Sequence, residues 1–219
     1  SLLVNALMSA KRYEAALPYL RELQSYSEQD KNNYLSVLMT LAAKNPSYNK
    51  ELADFAATQL RGNVAPAQKQ ALIYALLDAG RADLALPYIK EFARTKGGEW
   101  VAIYADNLDK MGRHDEARDF RMQMAQDADT PSQTRREIAY QLLDKGYKND
   151  AMVVFSGLAA EAPADSPDVQ QLLYLWGPRL TAEQLDWMTQ RALSSSQSED
   201  RRQWMEYVSN YADADEMVA

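Results

Sequence analysis

Apolar positions along the chain gather into stretches of three to four helical turns, separated by short polar turns. Three of these turns carry a glycine, Gly80, Gly112 and Gly146, at intervals of 32 and 34 residues. Glycine readily adopts the left-handed backbone conformation that ends a helix. Because each glycine follows one apolar stretch and precedes another, the pattern predicts helix–turn–helix units that repeat about every 34 residues.

A longer internal repeat supports the same period. The segment Ala15–Leu23 recurs 69 residues later as Leu84–Phe92, an offset of about two units. Alanine follows each turn glycine by five residues, as Ala85, Ala117 and Ala151. We expect two helices to cross closely at these positions, because such a crossing leaves room for only a methyl group.

The pattern predicts thirteen helices. They span residues 2–10, 13–25, 29–44, 47–61, 66–79, 82–95, 98–111, 114–127, 131–145, 148–162, 167–176, 181–195 and 199–212. The first twelve pair into units of about 1–28, 29–63, 66–97, 98–130, 131–165 and 166–197, followed by the terminal helix 199–212. Because one unit cannot bury its apolar face alone, we expect the units to stack. The terminal helix lacks a second helix, so we expect its apolar residues, Trp204 among them, to contact another molecule.

Composition agrees with an all-α protein. The 219 residues include 33 Ala and 26 Leu but only 8 Gly and 8 Pro, and alanine and leucine are strong helix formers. No apolar run approaches the roughly 20 residues of a membrane helix, so we expect no membrane segment. The net charge of −7 disfavours nucleic acid as a partner, because its binders normally carry a basic face.

Residues for catalysis are scarce. The chain has no cysteine and one histidine, His114, which we interpret as a packing or surface residue. The carboxylates show neither the spacing of a calcium loop nor a cluster with histidine or cysteine that suits zinc. We therefore expect a protein without enzymatic activity, without a metal and without a cofactor.

Several units resemble the tetratricopeptide repeat (TPR) family. The resemblance implies an all-α, right-handed superhelical solenoid that forms a single array over residues 1–219. The second and sixth units depart from the pattern, because Asn45-Pro46-Ser47 and Trp176-Gly177-Pro178-Arg179 replace their glycine turns. The fifth unit is the best copy of the pattern, with Ile138, Gly146, Ala151, Phe155, Leu158 and Pro163.

The resemblance also implies a binding surface, because first helices line the concave face of a TPR array. The partner-binding residues expected there are Gln70, Tyr74, Asp106, Arg136, Tyr140 and Tyr174. The three tyrosines share one repeat position, where they either contact a partner or pack against the neighbouring second helix. The lysine and asparagine pattern of TPR carboxylate clamps is not present in units 3 to 5.

One stretch suggests a cellular setting. The segment Gln170–Leu180, followed by Leu185-Asp186-Trp187-Met188, resembles the periplasmic TPR arrays of bacterial exopolysaccharide export proteins of the Pel type and of phage-adsorption proteins. The resemblance implies an outer-membrane secretion protein that recruits a partner protein, such as a polysaccharide-modifying enzyme. A cytosolic adaptor and direct polysaccharide binding are the alternatives, and Trp176 and Trp187 could equally fill the core between repeats. Because Ser1-Leu2-Leu3-Val4 resembles the middle of a helix, we expect a fragment of a longer chain.

Overall fold

A computed structural model of the protein describes residues 2–216, with side chains as far as Tyr211. Thirteen α-helices and no strand occur within these residues, so the predicted all-α class is confirmed. None of the described helices is both long enough and apolar enough to cross a membrane. The helices are α1 (Leu2–Ser9), α2 (Tyr13–Leu23), α3 (Glu28–Ala42), α4 (Asn49–Leu60), α5 (Pro66–Asp78), α6 (Ala82–Lys96), α7 (Glu99–Lys110), α8 (His114–Gln126), α9 (Ser132–Asp144), α10 (Lys148–Glu161), α11 (Pro167–Trp176), α12 (Ala182–Ser194) and α13 (Ser198–Glu216).

The predicted helix boundaries agree with the observed ones to within two residues at nearly every end. The last helix extends to Glu216, four residues beyond the prediction. A short 3-10 turn, Pro46–Tyr48, precedes α4 where the pattern predicted α-helix from residue 47. This difference arises because the Asn45 side chain accepts a hydrogen bond from the Ser47 backbone N–H, which starts a tight turn before the helix.

The three predicted glycine turns are confirmed. Gly80, Gly112 and Gly146 have φ angles of 74°, 76° and 85°, in the left-handed region. After each of them, the next residue donates its backbone N–H to a carbonyl five residues earlier, as from Arg81 to Leu76 over 2.8 Å. This pair of features is the Schellman ending of a helix, and it reverses the chain within three residues.

The chain forms two compact units, divided between Glu91 and Phe92. Each has its own apolar core between successive helices. The single array over residues 1–219 stays a prediction. Fully buried core side chains include Leu20, Leu38, Leu52, Ile73 and Leu76 in the first unit, and Leu108, Ile138, Leu142, Phe155 and Trp204 in the second.

The alanines at the repeated position are all buried. Ala16, Ala85, Ala117 and Ala151 have no exposed surface, and Ala53, which comes late in its unit, is 1% exposed. A larger side chain at any of these sites would displace the packed helix beside it. The small-residue position predicted from the repeat therefore lies in the core of both units.

The expectation that Trp204 contacts another molecule is wrong, whereas Tyr207, Val208 and Tyr211 of the terminal helix keep some exposed surface. Trp204 is completely buried. Its ring meets Trp187 of α12 edge to face, with centroids 5.5 Å apart, and it meets Tyr207 at 5.9 Å. Trp187 contacts Trp176 in the same way at 5.5 Å, so a row of three edge-to-face tryptophans joins α11, α12 and α13.

Side chains of α12 and α13 hold the loop that joins α10 to α11. Arg191 donates to the carbonyl oxygen of Ala162 over 2.8 Å, and Tyr207 donates to that of Ala164 over 3.3 Å. The Asp200 carboxylate accepts from the backbone N–H of Ala164 at 2.6 Å. These bonds satisfy loop backbone groups that would otherwise be buried without partners.

Candidate functional site

The predicted binding residues lie on the first helices of the repeats. These are α3 and α5 in the first compact unit, and α7, α9 and α11 in the second. We call the residues predicted to line the concave surface of these helices the first-helix faces. They are Asn32, Leu35, Met39, Ala42, Ala67, Gln70, Tyr74, Leu77, Glu99, Ala102, Asp106, Asp109, Gln133, Arg136, Tyr140, Leu143, Gln170, Tyr174 and Gly177. The six predicted binding residues differ in their surroundings.

In the first unit, a cavity of about 230 Å³ opens between α3, α4 and α5. Three residues of the predicted first-helix faces line it, namely Asn32, Leu35 and Ala67. Most of the exposed lining surface is apolar, and of the other lining residues four are apolar and four are polar or charged: Phe55, Val64, Ala71, Leu72, Glu28, Lys31, Gln59 and Gln68. An apolar hollow with few polar groups suits an apolar side chain of a ligand or partner.

Gln70 and Tyr74 lie on the same helix, α5, and both are half-buried. Neither lines the cavity. Tyr74 is thus the least accessible of the three tyrosines at the shared repeat position.

In the second unit, Tyr140 and Tyr174 are the accessible tyrosines of the first-helix faces. Tyr140 is 43% exposed and Tyr174 is 79% exposed. The Tyr140 ring also meets Phe155 of α10 edge to face, with centroids 5.3 Å apart. The sequence allows this tyrosine either to pack on the second helix or to be accessible to a partner. Tyr140 does both, since its ring contacts α10 and is still partly exposed.

Asp106 is bound within the chain. Arg121 of α8 donates to Asp106 over 2.8 Å and to Asp109 over 3.0 Å, and Lys145 lies 3.6 Å and 3.2 Å from the same two carboxylates. The Arg121 side chain has no exposed surface, so its charge depends on these partners. Asp106 thus stabilises the junction of α7 and α8, although 47% of its side chain remains exposed.

Asp109 is the centre of this ion cluster. Burial alone raises the pKa of its carboxyl, but hydrogen bonds from His114, Lys145 and Arg121 together lower the pKa below its usual value. His114 lies 3.1 Å from the carboxylate through Nδ1. The only histidine of the chain therefore belongs to a structural network.

The repeat spacing does not single out Arg121, although the sequence contains a signal for it. Arg121 follows Ala117 by four residues and precedes Met124 by three, and all three are buried on α8. A charged residue on the apolar stripe of a helix requires a buried partner of opposite charge.

Arg136 is also held within the chain. Its guanidinium donates to both oxygens of Asp168 on α11, over 2.6 and 2.7 Å, and to Gln133 over 2.7 Å. Asp168 is buried, so this bidentate pair bridges two successive first helices. Of the six predicted residues, only Tyr140 and Tyr174 combine exposure with the absence of a structural ion pair.

Comparable pairs bridge successive second helices. Arg21 donates to Glu51 over 2.6 and 2.8 Å, and the buried Tyr34 donates to the same carboxylate over 2.6 Å. Arg118 forms a bidentate pair with Asp150. The arginine hydrogen bonds lower the pKa values of both carboxyls. Arginine–carboxylate bridges between neighbouring repeats thus recur in both compact units.

No group of three or more metal-ligating side chains is arranged to hold a metal among the described residues. No family model matches the chain, and neither a curated protein nor a solved structure matches it. The tetratricopeptide resemblance therefore stays a prediction that rests on the repeat pattern itself.

Proposed function

We propose that the protein is a non-catalytic scaffold that binds another protein through its first-helix faces. The observation that carries this proposal is the pair of exposed rings, Tyr140 and Tyr174, 34 residues apart on successive first helices. Tyrosine offers a rigid, partly apolar surface and a hydroxyl at low entropic cost, which suits protein contacts. The proposal includes the right-handed, TPR-like superhelical array that the repeat pattern predicts.

The cavity of the first unit supports the proposal. It opens beside α3 and α5, and it is lined by Leu35 and Ala67 from the predicted faces. Binding sites commonly combine an apolar hollow with a few polar groups. First helices of both compact units thus carry accessible apolar surface.

We further propose that the protein works in the bacterial periplasm, as part of an outer-membrane exopolysaccharide secretion protein. Its partner would then be a protein such as a polysaccharide-modifying enzyme. The support is the resemblance of the stretch from Gln170 to Met188. Polysaccharide genes beside the coding gene would favour this setting, whereas an isolated short gene would favour a cytosolic adaptor.

Affinity capture with matched tyrosine variants tests the binding function. The immobilised chain is incubated with a periplasmic extract of the source bacterium as wild type, as Tyr140→Ala/Tyr174→Ala, and as Tyr19→Ala/Tyr26→Ala. The control tyrosines lie outside the first-helix faces and are equally exposed, at 45% and 79%. We expect wild type and control to retain a protein that the first double variant loses. Equal recovery of every protein by all three would contradict the proposal.

Direct polysaccharide binding is a second candidate. Its support is the exposed Tyr174 ring, one helical turn from the exposed amide of Gln170, since a flat ring beside an amide suits a sugar. Titration with acidic and basic oligosaccharides, followed by tryptophan fluorescence, tests it. A saturable change that Tyr174→Ala abolishes is expected, and an unchanged spectrum would count against sugar binding.

A further inference from the structure

The exposed side of α9 combines one aromatic ring with two carboxylates. Glu137 lies three residues before Tyr140, and Asp144 lies four residues after it, so the three share one face of the helix. All three are exposed. Among the described residues, no lysine, arginine or histidine forms an ion pair with Glu137 or Asp144. Glu137 accepts a hydrogen bond from the neutral amide of Gln133 over 2.9 Å.

The cations next to Glu137 and Asp144 in sequence are paired elsewhere. Arg136 is held by the buried Asp168 in a bidentate pair. Lys145, next to Asp144 in sequence, lies 3.2 Å from Asp109. Within the part of the chain whose side chains the structure describes, the carboxylates beside Tyr140 therefore face solvent without forming an ion pair.

The chain itself shows what such a combination binds. Lys69 lies over the Tyr88 ring at 5.7 Å and pairs with Glu91, three residues beyond that ring, at 2.8 Å. Arg118 likewise lies 5.7 Å from the Tyr147 ring and pairs with Asp150, three residues beyond that ring. In both cases, a tyrosine ring and a carboxylate one helical turn away hold the cation together.

The distribution of charge favours the same kind of ligand. Residues 92–219 contain 14 Lys and Arg against 22 Asp and Glu, whereas residues 1–91 contain 10 against 9. The negative charge of the chain is thus concentrated in the part that carries Tyr140 and Tyr174. A negative field of this kind accelerates the approach of a cationic partner and disfavours an anionic one.

We infer that the surface formed by Glu137, Tyr140 and Asp144, together with Tyr174, docks a lysine- or arginine-rich segment of the partner protein. The inference rests on the proposed function. Tyr140 and the carboxylates supply the tyrosine and acid of the internal examples, and the partner supplies the cation. The aliphatic stem of its lysine or arginine packs on the ring while the charged end meets Glu137 or Asp144. Tyr174 lies on α11, which the Arg136–Asp168 bridge joins to α9.

Fluorescence anisotropy with a labelled octalysine peptide tests this inference, with octaglutamate as the opposite probe. The full chain is compared with Glu137→Gln/Asp144→Asn, with Tyr140→Leu, and with the control Asp115→Asn/Asp119→Asn. The control removes the same charge from exposed residues of α8. Circular dichroism verifies that each variant is folded.

We expect octalysine to bind the wild type and the control, more weakly as salt rises. The Glu137→Gln/Asp144→Asn variant should bind it about tenfold more weakly, because two ion pairs are lost. Tyr140→Leu should bind it about threefold more weakly, because leucine lacks the ring that attracts a cation. Octaglutamate should not bind.

Three results would overturn the inference. They are no octalysine binding by the wild type, equal weakening in the control, and a preference for glucosamine oligosaccharides over octalysine that depends on the same side chains. The last result would assign the surface to a cationic sugar.

The capture experiment separates this inference from the proposed function. A captured protein that is lost from both Tyr140→Ala/Tyr174→Ala and Glu137→Gln/Asp144→Asn supports both. Loss from the tyrosine variant alone overturns the inference that the partner docks a cationic segment, but it still supports the proposed binding function. If no protein depends on the tyrosines, both are overturned.

Discussion

Two glycines of this chain should affect stability in opposite directions, because their backbone conformations differ. Gly146 has a φ of 85° in the turn after α9, whereas Gly157 lies exposed within α10, and an added Cβ there would meet nothing within 4 Å. We predict that Gly146→Ala lowers the free energy of unfolding by about 1 kcal/mol, because alanine disfavours the left-handed conformation. Gly157→Ala should raise it by about 0.5 kcal/mol, because alanine is the better helix former. Urea denaturation measures both changes, and a shift of the same sign in both variants would contradict the assignment.

Lys11 occupies the position in the first repeat that glycine occupies later. Its φ is 56°, and Arg12 donates its backbone N–H to Leu7 over 2.8 Å, as in the glycine turns. We predict that Lys11→Gly raises the free energy of unfolding by about 0.5–1 kcal/mol, because the left-handed strain disappears. Replacing a neighbouring exposed cation, as in Arg12→Gly, is the control and should not stabilise the chain. A loss of stability in Lys11→Gly would show that the turn is not strained.

Residue spacing predicted the glycine turns and the buried alanines, because both depend on local geometry that the repeat imposes. It did not predict that Asp106 and Arg136 are held by Arg121 and Asp168. Such pairs depend on which side chains of neighbouring helices meet, and this follows from the packing of repeats rather than from spacing within one. For the same reason, spacing does not predict whether the rings of Tyr140 and Tyr174 are exposed.

A buried ion pair between helices should contribute more to the free energy of unfolding than an exposed one. Arg136 bridges α9 to the buried Asp168, with 30% and 7% of the two side chains exposed, whereas Arg202 pairs with Glu199 on the surface at 65% and 78%. We predict that Arg136→Ala lowers the free energy of unfolding by about 2 kcal/mol, because Asp168 is left buried without its partner. Arg202→Ala should leave the urea midpoint unchanged. Equal effects would show that the bridge does not stabilise the joint.

Helix boundaries were predictable because apolar stretches, turn glycines and prolines mark them directly. The surroundings of α13 were not predictable, because an apolar stripe does not say which neighbour covers it. Trp204 lies against Trp187 of α12, and the expectation of an external partner for it failed for that reason. The sequence thus predicts the positions of the helices more clearly than the contacts between them.

At the scale of the whole molecule, carboxylates bridged by arginine give stability a defined dependence on pH. Hydrogen bonds from Arg21 and Arg118 lower the pKa values of Glu51 and Asp150 in the folded protein. Their contribution is complete above the unfolded pKa values and is lost as pH falls through the lower, folded ones. We predict a constant urea midpoint from pH 8 to 6 and a decline below about pH 5. Asp150→Asn should make the decline shallower, and a midpoint that rises on acidification would contradict the prediction.

Binding through the first-helix faces, as proposed above, is a property of the folded molecule and not of a single residue or helix. Site-specific photo-crosslinking in the source organism tests this proposal, with p-benzoylphenylalanine placed at residue 140, 174, 19 or 26. Tyr19 and Tyr26 match Tyr140 and Tyr174 in exposure but lie outside those faces. We expect an adduct with one discrete protein from positions 140 and 174, and none with that protein from 19 and 26. No adduct at 140 and 174, or the same adduct from all four positions, would contradict it.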